Sequence, residues 1–266
     1  MTGLHSTNSP IENLVRIPVE AASNKVVATT ILEGSLTIPN NWNITKGIIV
    51  FAHGSSSGRH SPRNEHVAKA LNKDGLATLL IDLLTKEEEE TDTRTEKIRC
   101  KIPGLILNKF NMKLLSDRLL GITDWLLTTK QFETHDVIMG YFGASTGAAA
   151  SLIAAAQRVN LVGAVVCRSG RPDLVSTNLL TKVRAPALFI VGGNDNKEVI
   201  DVNNDTLKQL LNVQKKKVVV VPGATHLFED REALENLARL ASGWFRCYFL
   251  IKQHDTQEKS TKNSIS

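Results

Sequence analysis

From residue 46 to residue 250 the chain alternates two kinds of segment. Short apolar runs occur at Lys46–Ala52, Ala77–Asp82, Asp136–Phe142, Leu161–Cys167, Ala187–Val191 and Lys217–Val221. Between them lie segments that read as helices: Arg63–Lys73, Met112–Thr128, 146–157, Val199–Leu211 and Glu232–Phe249. In the second of these, Leu114, Leu115, Leu119, Ile122 and Leu126 recur at helical spacing. Uninterrupted apolar runs are what strands covered on both faces look like. Their alternation with helices predicts an α/β protein, with a mostly parallel central sheet of about eight strands and helices on both faces. Two further strands are expected earlier, at Leu14–Val19 and Thr30–Ile38, with Gly34 as a candidate bulge.

A chain of 266 residues accommodates one large domain with a substantial core. We expect a loose N-terminal segment over 1–13, a domain over 14–250, and a polar disordered tail over 251–266. Residues 86–110 break the rhythm, opening on an acidic run and carrying Pro103-Gly104, and form a candidate lid or insertion. The acidic residues 87–90 read most simply as a solvated face. The net charge of +5 is scattered apart from Lys215–Lys217, so no stripe for nucleic acid is expected. No apolar run reaches the roughly 18 residues of a membrane span. Cys100, Cys167 and Cys247 are widely spaced with no CxxC pair, so no disulfide framework is expected, which suits a reducing compartment. With no secretory signal at the N-terminus, a cytoplasmic location is the expectation.

Gly143-Ala144-Ser145-Thr146-Gly147 lies between an apolar run and a run of small residues. Gly-x-Ser-x-Gly on a strand-to-helix turn is the nucleophile elbow of a serine hydrolase. The pentapeptide alone is weak evidence, because Gly and Ser are common residues. Its partners strengthen it. A serine nucleophile needs a base, and the base needs an acid to orient it. In this fold the chain order is Ser, then Asp or Glu, then His. Of the two histidines after Ser145, His254 sits in the polar tail, whereas His226 directly follows the last strand. Asp195 follows the strand Ala187–Val191 on a glycine-rich turn and is favoured as the acid. Asp173, one strand earlier, is its rival.

A tetrahedral intermediate also needs two convergent N–H donors. Thr146, next after the serine, supplies one. The loop His53-Gly54-Ser55-Ser56-Ser57-Gly58 supplies the other, with Ser55 as the candidate donor. His53 reads as a brace for that loop. The loop lacks the Gly-x-x-x-x-Gly-Lys spacing of a phosphate cradle.

With these residues in place, the chain resembles an α/β-hydrolase of the dienelactone-hydrolase-like group over roughly residues 14–250. The stretches Phe51–Gly54, Arg59–Asn64, Leu79–Thr85 and Arg168–Asp173 add to the likeness. Similar domains occur fused to a phosphoribosyltransferase, but this chain carries no phosphoribosyl-diphosphate motif. The enzyme that names the family uses a cysteine nucleophile, whereas the elbow here holds Ser145. The resemblance therefore implies a serine hydrolase acting on carboxylic esters or lactones, needing no cofactor or metal. Acyl transfer or thioester cleavage with the same triad is the alternative within enzymes. A non-catalytic ligand-binding protein on a hydrolase scaffold is the alternative outside them. Cys167 ends a buried strand and reads as a small hydrophobe.

Four arginines fall in loops at the strand ends: Arg59, Arg63, Arg168 and Arg171. Arg59, Arg168 and Arg171 are candidates for gripping a substrate carboxylate. The competing reading pairs them with Asp82, Asp173 or the acidic run. Trp244, Phe245, Tyr248 and Phe249 pack either inward or at a contact between copies, and the sequence leaves the oligomeric state open.

Overall fold

The computed structural model describes residues 11–23, 26–42, 45–55, 57–91, 112–130, 132 and 137–263. The strands are β1 (Ile11–Ser23), β2 (Val26–Ile38), β3 (Gly47–Ala52), β4 (Ala77–Ile81), β5 (Ile138–Ala144), β6 (Val162–Arg168), β7 (Ala187–Gly192) and β8 (Lys216–Val221). They form one eight-stranded sheet in the order β1-β2-β4-β3-β5-β6-β7-β8. β3 to β8 run parallel, while the β1–β2 hairpin joins antiparallel through β4. The helices are α1 (Pro62–Lys73), α2 (Met112–Thr128), α3 (Thr146–Gln157), the short α4 (Thr177–Leu180), α5 (Lys197–Gln209) and α6 (Arg231–Asn263).

The strands are apolar throughout because successive side chains serve two different cores. On β3, Ile48, Val50 and Ala52 pack with Leu119 and Ile122 of α2 and the alanines of α3. Ile49 and Phe51 point the other way, to Val67 and Leu71 of α1 and to Leu237, Phe245 and Phe249 of α6. Burying one such side chain contributes about 1.5–3 kcal/mol, so two covered faces give the centre of the sheet its stability. Parallel registry then brings the C-terminal ends of β3, β5, β6, β7 and β8 to one edge, with Ala52 beside Gly143, Ala144 beside Arg168, and Gly192 beside Val221.

Three expectations differ from the structure. Gly34 is not a bulge: it holds unbroken register with Val15 on one side and Ile81 on the other. Pairing on both edges leaves no room for an extra residue. The last helix does not end near Phe249 but runs to Asn263, so most of the expected disordered tail is helical. Phe245 and Phe249 anchor it in the core, and beyond them no Gly or Pro interrupts cheap helix propagation. Trp244 and Tyr248 pack against the same core rather than standing free. The hairpin strands are also longer than expected, with β1 beginning at Ile11 inside the segment read as loose. Of the 86–110 segment, residues 86–91 are helical and the remainder lies outside the described residues, as do 1–10. Among the described residues no helix is long and apolar enough to cross a membrane.

Candidate active site

β5 turns into α3 through Ser145, whose backbone takes φ 50° and ψ −117°. A non-glycine residue there stores of order 1–3 kcal/mol, and surrounding bonds must hold it. The Ser145 N–H donates to the Arg168 carbonyl at 3.0 Å. The Ser145 carbonyl accepts from the N–H groups of Ala148 and Arg171, both at 3.1 Å. The glycines on either side are required by space. A Cβ on Gly143 would sit 2.5 Å from Ala148 Cα, and one on Gly147 would sit 2.1 Å from the Ala52 carbonyl oxygen. The small residues of the motif thus let β3, β5 and α3 converge under the serine.

The loops after β7 and β8 are stitched together. Gly193 N–H donates to Val221 O at 2.7 Å and Asn194 N–H to Ala224 O at 2.9 Å. This brings Asp195 to His226, with Nδ1 2.9 Å from Oδ1 and 3.0 Å from Oδ2. The Asp195 side chain is only 2% exposed, while His226 is 36% exposed. Asp195 Oδ1 also accepts the Asn196 N–H at 2.8 Å. A carboxylate at Nδ1 places the proton on that nitrogen and leaves Nε2 as the acceptor. The bonds to Asp195 are the only hydrogen bonds of His226 among the described residues. Nucleophile–base contacts are often long in unliganded sites and tighten on binding. Asp173, the rival acid, is held instead by Arg171 through two bonds of 2.8 and 2.7 Å. His254 lies on α6 and is exposed.

Ser55 and Thr146 come together across the sheet edge, their hydroxyl oxygens 3.4 Å apart. Among the described residues neither backbone N–H donates to another backbone group. Two free donors beside a helix N-terminus suit a developing negative charge.

His53 is buried and spans two segments. Its Nε2 accepts the Leu83 N–H at 2.9 Å, so its Nδ1–H donates to the Gly54 carbonyl at 2.9 Å. Burial pulls its pKa below 6.5 by disfavouring the charged ring, more than the Gly54 bond and the nearby Asp82 raise it. The folded protein therefore holds His53 neutral where the unfolded chain would protonate it. That contribution to stability is complete above pH 6.5 and is lost as pH falls from 6.5 toward the lower folded pKa. One proton accounts for at most about 1.4 kcal/mol per pH unit. Between pH 7 and 5, the urea midpoint of the native protein should fall more steeply than that of His53→Gln; equal slopes would remove His53 from this role.

The loop arginines are mostly occupied. Arg59 forms a salt bridge with Asp82 and donates to Glu33 Oε2 at 2.8 Å, and its N–H reaches Asp82 Oδ1 at 2.7 Å. Arg171 is committed to Asp173. Arg168 is buried, donates to the Leu227 carbonyl at 3.1 Å, and has its pKa pulled down to about 10 by burial and then by the facing charge of Arg63. The structure therefore brings Arg168 to the histidine loop and pairs Arg59 and Arg171 with carboxylates. Beside the 53–59 loop a cleft of about 840 Å³ is lined in part by Ser57, Arg59, Arg63, Leu84 and Lys86. Burial pushes the Cys167 thiol pKa well up, as suits an inert core residue.

Sequence reading missed the residues behind this edge. Thr85 and Glu88 form a reciprocal capping box: Thr85 N–H to Glu88 Oε2 at 2.8 Å and Glu88 N–H to Thr85 Oγ1 at 3.3 Å. Arg118 of α2 grips Glu88 from the core side. The Thr-x-x-Glu spacing was the available signal, hidden in an acidic run.

Comparison with known proteins gives four findings. The pattern of the Dienelactone hydrolase family matches residues 32–255. A crystal structure of a dienelactone hydrolase from Anabaena variabilis is 47% identical, covering 90% of this chain and 98% of its own, with a TM-score of 0.73. Est1E from Butyrivibrio proteoclasticus shares the fold at 15% identity and a TM-score of 0.64, over 91% of this chain and 99% of its own. Among curated relatives, a Mycobacterium tuberculosis protein named as a phosphoribosyl transferase is 46% identical over 230 residues. That match takes in 86% of this chain and 46% of the relative, so the chain spans about half the length of the curated relatives it matches.

Proposed function

This chain belongs to the dienelactone hydrolase family, and on that premise we propose that it cleaves carboxylic esters or lactones through an acyl-enzyme on Ser145. The observation that carries the reading is the paired Asp195 and His226 at the same sheet edge as the strained Ser145 turn. Ser145 Oγ attacks the carbonyl carbon while His226 Nε2 takes its proton. The carbonyl oxygen, now an anion, is held by the N–H groups of Ser55 and Thr146. Each such donor is worth roughly 10²–10³ in rate. The intermediate collapses, and His226 returns the proton to the departing alkoxide. Water, deprotonated by His226, then attacks the acyl carbon and frees the acid and Ser145. Asp195 holds the imidazole in the required tautomer and stabilises its charged form. With Arg59 and Arg171 already neutralised, Arg168 is the remaining sequence candidate for substrate contact.

We place the transferase activity named for the mycobacterial relatives in the part of those proteins that this chain does not match. The loop at 53–58 has the spacing of an oxyanion loop, not of a phosphate cradle. A fluorophosphonate probe tests the proposal. It should label one site, the peptide carrying Ser145, and abolish hydrolysis across a panel of esters and lactones. Hydrolysis that survives full labelling, or labelling elsewhere, would overturn it.

A further inference from the structure

Arg118 is a guanidinium in an apolar place. It lies on α2 among Leu115, Leu119 and Ile122, and its side chain is 2% exposed. A charge so buried persists only with well-placed partners. Two of its donors grip both oxygens of Glu88, at 2.6 and 2.8 Å. Nη1 also donates to the Leu83 carbonyl at 2.6 Å. Glu88 is fixed in turn by the Thr85 N–H.

Leu83 is the junction. Its carbonyl is held by Arg118, and its N–H is held by His53 Nε2. The other ring nitrogen of His53 holds the Gly54 carbonyl. That carbonyl and the Ser55 N–H are opposite ends of one planar peptide unit. Fixing the carbonyl therefore fixes the direction in which the Ser55 N–H points.

We propose that Arg118 and Glu88 are positioning residues for the oxyanion loop, acting through the Leu83 backbone and His53 on the peptide that carries the Ser55 N–H. The proposal rests on the serine-hydrolase reading above, since it gives the Ser55 N–H its task. An oxyanion donor is engaged by the intermediate more than by the substrate, so misdirecting it lowers kcat and leaves KM nearly unchanged.

The test uses Arg118→Met, which removes the donors while keeping bulk, and Glu88→Gln, which weakens the grip at a partly exposed position. Rates are expressed per active site titrated with the fluorophosphonate, so that a loss of folded protein does not register. Glu88→Gln should lower kcat about tenfold with KM within twofold. Its Ki for a trifluoromethyl ketone, which forms a tetrahedral oxyanion on Ser145, should rise by a similar factor. In a His53→Asn background the same substitution should add little, because the path is already broken. An unchanged kcat per titrated site alongside a lower urea midpoint would overturn the proposal, as would a fully additive loss with His53→Asn. Where Arg118→Met does not fold, Glu88→Gln alone decides. A native protein that hydrolyses esters yet is not labelled at Ser145 would overturn the assignment of Ser145 as the nucleophile, and this proposal with it.

Discussion

Ser145→Ala should lower ester hydrolysis by about 10⁴-fold or more while the protein stays folded. The rate loss follows from removing the only atom proposed to form the acyl bond. Residual activity of this kind comes from the oxyanion donors and binding alone. Stability should barely move. Alanine keeps the Cβ, so the strained φ of 50° at this turn is no worse than before. The bonds that hold the turn come from the backbone of Arg168, Ala148 and Arg171, which the substitution leaves alone. Any shift should be a modest gain, as is common when a functional group leaves a strained site. Steady-state kinetics and a urea melt decide the matter. Wild-type turnover in the variant would displace Ser145 from the mechanism.

Asp195→Asn should reduce kcat by about 10³- to 10⁴-fold, with Asp173→Asn within twofold of the native enzyme. Both aspartates follow sheet strands, and geometry separates them. Asp195 is 2% exposed and bonded to His226 Nδ1; Asp173 is bonded to Arg171 and 30% exposed. An amide in place of Asp195 no longer stabilises the imidazolium and favours the wrong tautomer, with the Nε2 lone pair replaced by N–H. Substituting Asp173 costs a partly exposed ion pair, worth at most about 1 kcal/mol of stability, and leaves the Arg171 N–H that holds the Ser145 carbonyl in place. Parallel rate measurements on the two variants give the answer. A large loss at Asp173 with none at Asp195 would move the acid to the other loop.

The legible parts of the molecule share a physical cause. Strands covered on both faces become apolar without interruption, so β3 to β7 could be read to within two residues at each end. The gathering of Ser145, Asp195 and His226 at one sheet edge was legible because each lies in the turn or loop that follows a strand, and parallel registry brings those ends together. β1 and β2 lie toward the sheet margin with exposed residues such as Leu14 and Ile31, so their alternation is diluted and their length was underestimated. The end of α6 was missed because polar composition says little about a helix already anchored by Phe245 and Phe249. Arg118 was hidden for the opposite reason. Its position three residues after Leu115 faces the core, but a charged residue there has meaning only once Glu88 and the Leu83 carbonyl are known to meet it.

Arg168 serves two loops at once. Its carbonyl takes the Ser145 N–H, and its guanidinium takes the Leu227 carbonyl next to His226. In evolutionary terms this makes position 168 a bottleneck. A replacement must still present its main chain to the serine turn from inside β6 and also reach across to the histidine loop. A shorter side chain leaves the second tie broken, and a change of backbone disturbs the first. The neighbouring Arg171 stands apart from this constraint, because its partner Asp173 lies on its own loop and the pair can be lost or exchanged together.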